Sequence, residues 1–144
     1  MGVQELFESF DKRKRKSHFK NLLAVAMADG NLENVEFNYI MHLAHKCYMS
    51  EAEVKRVIDS PQQINFVIPT TNREKFDQLY DLVTVMMVDG EIDPREMRLC
   101  KTIAMRFGFN PQIVDELIKG VMVNILKGVA SEIALNELAS MIED

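Results

Sequence analysis

Two stretches decide how this chain folds: Ala28-Asp29-Gly30-Asn31-Leu32-Glu33-Asn34-Val35-Glu36 and Val88-Asp89-Gly90-Glu91-Ile92-Asp93-Pro94-Arg95-Glu96. They stand sixty residues apart and carry Asp-Gly, an apolar residue, an acidic residue and a closing Glu at the same offsets. A strongly apolar segment leads into each, Leu22–Ala28 and Leu82–Val88. A run apolar on all sides reads as a buried helix or, at this length, as a buried strand. Upstream, Thr71-x-x-Glu74 has the form of a capping box, in which hydroxyl and carboxylate satisfy each other's backbone donors at a helix start. It predicts a helix from about Thr71 to Val88, well beyond the ~5–6 residues of a typical strand. Glycine just past a helix end takes the left-handed conformation at little cost, so each Asp-Gly reads as a helix stop. Asp93-Pro94-x-Glu96 then starts the next helix with an N-cap Asp, Pro at the first position and an acidic residue to close a capping box. Glu33-x-x-Glu36 is the weaker version of the same start.

Outward from these loops the offset persists without a gap from Phe19/Leu79 to Ile58/Ile118. Leu22, Val25, Met27, Asp29, Gly30, Glu36, Ala44, Val54 and Ile58 recur as Leu82, Val85, Met87, Asp89, Gly90, Glu96, Ala104, Val114 and Ile118. Polar residues retained at a constant spacing are the mark of an internal duplication. Two copies are too few for a solenoid, so a closed, pseudo-two-fold, all-α domain is expected over 1–144, with copies at about 19–58 and 79–118. Phe37, Ile40, Ala44 and Cys47 repeat at helical spacing, as do Met97, Cys100, Ala104 and Phe107. Ser50-x-x-Glu53 and Asn110-Pro111 each start a third helix. Outside the copies, a helix is expected near Gln4–Lys16. A short helical turn followed by an extended stretch is expected over Ser60–Pro69, and a final helix capped by Ser131 carries Ile133, Leu135, Leu138 and Ile142.

Composition narrows the function. The net charge of −5 argues against nucleic acid as a partner. One dense basic cluster, Lys12, Arg13, Lys14, Arg15, Lys16 and Lys20, reads either as a phosphate- or membrane-contacting patch or as a solvated helix face balanced by acidic neighbours. The second reading is preferred, because Phe19 is the lone aromatic among them. No apolar run reaches the ~18–20 residues of a membrane span. The N-terminus lacks the pattern of a signal peptide, and Gly2 lacks the Ser or Thr of a myristoylation motif, with Leu6 in that place. A cytoplasmic protein is expected. Cys47 and Cys100 fit no CxxC pattern and are expected as buried free thiols.

Asp89, Glu91, Asp93 and Glu96 bring several hard oxygen donors into one loop, the ligand type of Ca²⁺ and Mg²⁺. Two such loops facing each other across a pseudo-two-fold axis could pool their carboxylates. The spacing is not that of an EF-hand, since Gly follows the first Asp directly and the last acidic residue comes too soon. Helix capping by Asp93 and Glu96 accounts for much of the same pattern. His42-x-x-His45-x-Cys47 suggests zinc by ligand type, but Cys47 leaves the histidine face, and the second copy has Thr102 and Met105 there. There is no Gly-rich phosphate loop, nucleophile elbow or HExxH, and no enzymatic activity is expected. Met27, Met86, Met87 and Met97 fit core spacing; Met41, Met122 and Met141 suit a surface that adapts to partners.

The doubled phrase Asp-Gly-x-apolar-acidic-x-x-Glu resembles the TerB-like family of tellurite-resistance proteins, over roughly Phe19 to the final helix. The resemblance implies a compact bundle of about seven helices. It implies a non-enzymatic interaction or regulatory module in stress or tellurite tolerance, acting through a protein partner or at a membrane periphery. A homodimer is compatible with it. It also implies a divalent cation, Ca²⁺ or Mg²⁺, at the recurrent acidic positions: Asp29, Glu33 and Glu36 in the first copy, Asp89, Asp93 and Glu96 in the second. The first copy departs from the fuller pattern, with Asn31 opposite Glu91 and Asn34 opposite Pro94.

Overall fold

The structure, a computed structural model, describes residues 10–142. Seven α-helices run in order through them: α1 Phe10–Ala26, α2 Asn34–Lys46, α3 Glu51–Asp59, α4 Asn72–Met87, α5 Pro94–Arg106, α6 Pro111–Leu126 and α7 Ser131–Ile142. No strand occurs among the described residues. Between α3 and α4 lies the short helical turn the connection's sequence implies, a single 3₁₀ turn Pro61–Gln63, followed by an irregular segment that begins with Ile64 in the extended conformation. None of the described helices is long and apolar enough to cross a membrane.

The duplication is visible in the backbone. Helices α2 and α5 begin and end at positions sixty apart. Gly30 and Gly90 both take φ 84°, and their amides donate to the carbonyls of Met27 and Met87 at 2.8 and 3.0 Å. At the far end of the second helix, Met49 N–H reaches Ala44 O at 3.0 Å and Phe109 N–H reaches Ala104 O at 3.2 Å. The left-handed residue in that turn is Gly108 in the second copy but Tyr48, at φ 60°, in the first.

The two apolar helices form the centre. Leu22, Val25 and Ala26 of α1 and Leu82, Val83, Val85 and Met86 of α4 are buried against Ile40 and Ala44 of α2 and Cys100, Ile103 and Ala104 of α5. Val114, Leu117, Ile118 and Val121 of α6 and Ala134 and Leu138 of α7 complete the core. Burial of such side chains contributes roughly 1.5–3 kcal/mol each, before the entropy of ordering the chain is subtracted.

Several expectations change. The separate helix near Gln4–Lys16 does not exist as such: from Phe10 onward it is continuous with the apolar helix through Ala26, because no breaker interrupts the basic run. Residues 1–9, with Gly2 and the start of that expected helix, lie outside the described residues. Met27 is 51% exposed, since α1 ends at Ala26 and the chain turns outward there. Cys47 is only half-buried, whereas Cys100 is fully buried; both are free thiols. Ser131 is the first residue of α7 and not its cap. The first turn closes on the Ala130 carbonyl, and the Ser131 hydroxyl donates to Asp77 Oδ1 at 3.0 Å. The basic cluster is not one solvated face: Lys16 is buried, Lys14 Nζ bonds Glu74 Oε2 at 2.9 Å, and Lys20 Nζ bonds the Ile64 carbonyl at 2.8 Å.

Candidate functional site

Each Asp-Gly loop is built the same way. The Asp29 carboxylate accepts from Asn31 N–H at 2.9 Å, and the Asp89 carboxylate from Glu91 N–H at 3.0 Å. These short-range bonds explain why Asp suits the position despite facing the negative end of the preceding helix: its side chain braces the turn that Gly then completes. The helix starts that follow are not alike. In the first copy, Glu36 Oε1 accepts from Glu33 N–H at 3.3 Å, so the capping box returns on itself. In the second, Asp93 Oδ1 accepts from Arg95 N–H at 2.7 Å, and the Arg95 guanidinium grips both Asp93 oxygens at 3.0–3.1 Å. Glu96 does not close the box expected of it, and its Oε1 is buried with no hydrogen-bond partner.

The last glutamate of each motif, Glu36 and Glu96, is the unusual residue of its loop. Glu36 is 0% exposed and Glu96 2%, on equivalent turns of α2 and α5. Each keeps one unpartnered oxygen, Glu36 Oε2 and Glu96 Oε1. Buried carboxylates without donors are costly in their charged form, which burial destabilises directly. Burial accordingly pushes the Glu96 carboxyl up to about 8, with further upward pressure from Glu36, Asp29, Asp89 and Asp93. Glu36 is also raised, first by burial, then by Asp89, Asp29 and Glu33, while its bond from the Glu33 backbone pulls the other way. The two loops therefore feel each other's charge: groups of the first copy act on Glu96, and Asp89 of the second acts on Glu36.

Of the acidic residues singled out by sequence, Asp29, Glu36, Asp89, Asp93 and Glu96 belong to this electrostatic cluster, and Glu33 joins it through Glu36. Asp93 is held below the usual carboxylate range by Arg95, so it serves as a cap and ion-pair partner. Glu91 is exposed and contributes its backbone amide to the turn. The oxygen-only donor set has the chemistry of Ca²⁺ or Mg²⁺ coordination. Its side chains are not preassembled: among the described residues no three His, Cys, Asp or Glu side chains stand where they could jointly hold a metal ion. His42 and His45 are exposed on α2 and fall under the same statement.

Residue patterning did not single out His18, which is buried on α1 with Nε2 2.9 Å from Asp81 Oδ2 on α4. The only sequence signal was a polar residue beside the apolar run. Its partner is sixty-three positions away, so nothing local could have paired them.

No protein-family model, curated protein or solved structure matches the chain.

Proposed function

We propose that the chain is a non-enzymatic regulatory module of the TerB-like kind. Its paired acidic loops take up a divalent cation and report that event to a protein or membrane-associated partner. The observation that carries this reading is the pair of buried glutamates, Glu36 and Glu96, one from each copy, each with an oxygen lacking a donor. Capping accounts for one oxygen of Glu36 and for Asp93, and for neither oxygen of Glu96. A hard cation between the copies would neutralise both glutamates and use the oxygens that capping leaves over. Because those oxygens do not yet form a ligand shell, binding would have to draw Asp29 and Asp89 inward. That rearrangement of the two turns is the proposed signal. The motif's likeness to TerB-like proteins links such a module to stress or tellurite tolerance.

Thermal unfolding of wild type and Asp89→Ala, in chelator and in millimolar Ca²⁺ or Mg²⁺, tests the reading. Cation should stabilise the wild type by mass action, by ~2.7 kcal/mol at a hundredfold excess over the dissociation constant, and Asp89→Ala should lose that gain. Asp93→Ala, which removes a cap, should lower the melting temperature equally in both conditions. Identical wild-type curves with chelator and with cation would sink the cation reading.

A further inference from the structure

The duplication lets the two halves be compared surface by surface, and one face that is closed in the second copy is open in the first. Between α2 and α3 lies a groove of about 420 Å³, walled by Met41, Ala44, Met49, Val54 and Ile58 and rimmed by His45, Glu51 and Lys55. Sixty residues on, Phe109 stands at the place of Met49 and is buried, and Ile118 stands at the place of Ile58 and is buried too. Lys101 and Asp115, at the places of Met41 and Lys55, close that face with an ion pair of 3.0 Å. In the first copy Met41 offers Lys55 no charge to pair with. Helix α3 ends one residue after Ile58, whereas α6 runs on past Ile118 to Leu126, and Ile58 is left 42% exposed.

The open face is self-complementary. Glu51, Lys55 and Ile58 stand at i, i+4 and i+7, one stripe of α3, and Tyr48 lies just ahead of the Ser50 cap at the helix's N-terminal end. A second α3 laid antiparallel along this stripe, about a two-fold axis level with Glu53, sets Glu51 opposite Lys55 and Tyr48 opposite Ile58, because both pairs are placed symmetrically about that level. Glu four residues ahead of Lys is the order that closes most readily within one helix. Here it does not close: among the described residues neither Glu51 nor Lys55 has an ion-pair partner. Tyr48 is 90% exposed and is held in a left-handed turn at φ 60°, where the second copy has Gly108. A strained turn that keeps a large exposed aromatic points to a use for the ring, and tyrosine is enriched at protein interfaces. Met41 and Met49 give the groove side chains that adapt to what enters it.

From this we propose that the groove receives a second copy of this chain, in a two-fold dimer whose α3 helices pack antiparallel. Glu51 and Lys55 pair twice across the axis, and each Tyr48 ring enters the other groove beside Ile58. A two-fold interface presents the same patch from both subunits, so it must be complementary to itself; this one is so in charge and in apolar groups. A helix of an unrelated protein would need the apolar wall alone, and the mirrored order of Glu51 and Lys55 favours self-association over it. One nine-residue helix and one groove make a small interface, so the dimer is weak, with a dissociation constant on the order of 100 µM.

The test is sedimentation equilibrium of the full chain from about 1 µM to about 1 mM, with a reductant to keep Cys47 and Cys100 as thiols and a chelator to keep the acidic loops out of the result. The wild type should pass from monomer to dimer over this range. Glu51→Lys and Lys55→Glu each set like charges against each other twice, and each should weaken the dimer at least about tenfold. The double exchange Glu51→Lys/Lys55→Glu should restore it. An equimolar mixture of the two single variants should form a heterodimer, because one chain then carries both cations and the other both anions. Tyr48→Ser should weaken association by a similar factor, and circular dichroism of each variant checks that it is folded. A wild type that stays monomeric to about 1 mM leaves the groove to a different occupant and overturns the proposal. So does a dimer that both charge reversals leave intact, which would be using another face, or a mixture of the single variants that stays monomeric.

Discussion

Replacing Glu96 by Gln should convert a pH-dependent protein into a flatter one. The carboxyl sits at about 8 in the folded chain against 4.5 as its ordinary value. Between these values the folded protein holds a proton that the unfolded chain has released, so stability falls as pH rises through the window. The sign is the reverse of a salt-bridged carboxylate, whose contribution is lost on acidification. At ~1.4 kcal/mol per pH unit, the wild type should lose on the order of 3 kcal/mol between pH 4.5 and pH 7, and the loss should level off above pH 8. Glu36, also raised, adds to the slope in the same direction. Gln keeps the shape of a protonated Glu without the option of ionising, so Glu96→Gln should resemble the wild type near pH 5 and exceed it by a few kcal/mol at pH 7. Urea unfolding followed by circular dichroism from pH 5 to pH 8, in chelator, measures both. Parallel stability profiles for the two proteins would refute the reasoning, because they would mean that Glu96 meets a donor or water that its buried position conceals.

Two further substitutions probe the duplicated frame. Tyr48 occupies the left-handed turn position that Gly108 fills in the second copy, at φ 60° and 90% exposed. A non-glycine residue there costs roughly 1–2 kcal/mol, so Tyr48→Gly should stabilise the protein in chemical denaturation, less the extra entropy that Gly brings to the unfolded chain; a clear loss would show that the ring contributes packing. Cys100 is fully buried, with Sγ 3.8 Å from the Leu82 carbonyl, and Cys100→Val should cost less than about 1.5 kcal/mol as a near-isosteric exchange; a larger loss in the same assay would assign the thiol more than a filling role.

Sequence alone determined the helical class, the duplication and the position of both loops. Those features are written in local chemistry: apolar periodicity, Gly past a helix end, and Ser, Thr, Asp or Asn just before a start. Ser50 and Glu53 form their capping box as read, at 3.0 and 3.1 Å, and Asn110 accepts from Gln112 N–H at 2.9 Å. Thr71 caps α4 through Glu74 N–H at 3.1 Å, but the Glu74 carboxylate turns to Lys14, a residue no local pattern could have offered it. The same limit separates Glu36 from Glu96. Their sequence contexts are near copies, yet one closes its box and the other does not. In the second copy Arg95 grips Asp93, and the Glu96 carboxyl is left buried among the charges of both loops. Tertiary structure likewise decided that Lys16 is buried and that His18 meets Asp81. Each of these is a charge or polar atom whose state depends on what lies across the bundle. Patterning sees the residue's own helix face, and the partner comes from another helix that only folding brings within reach.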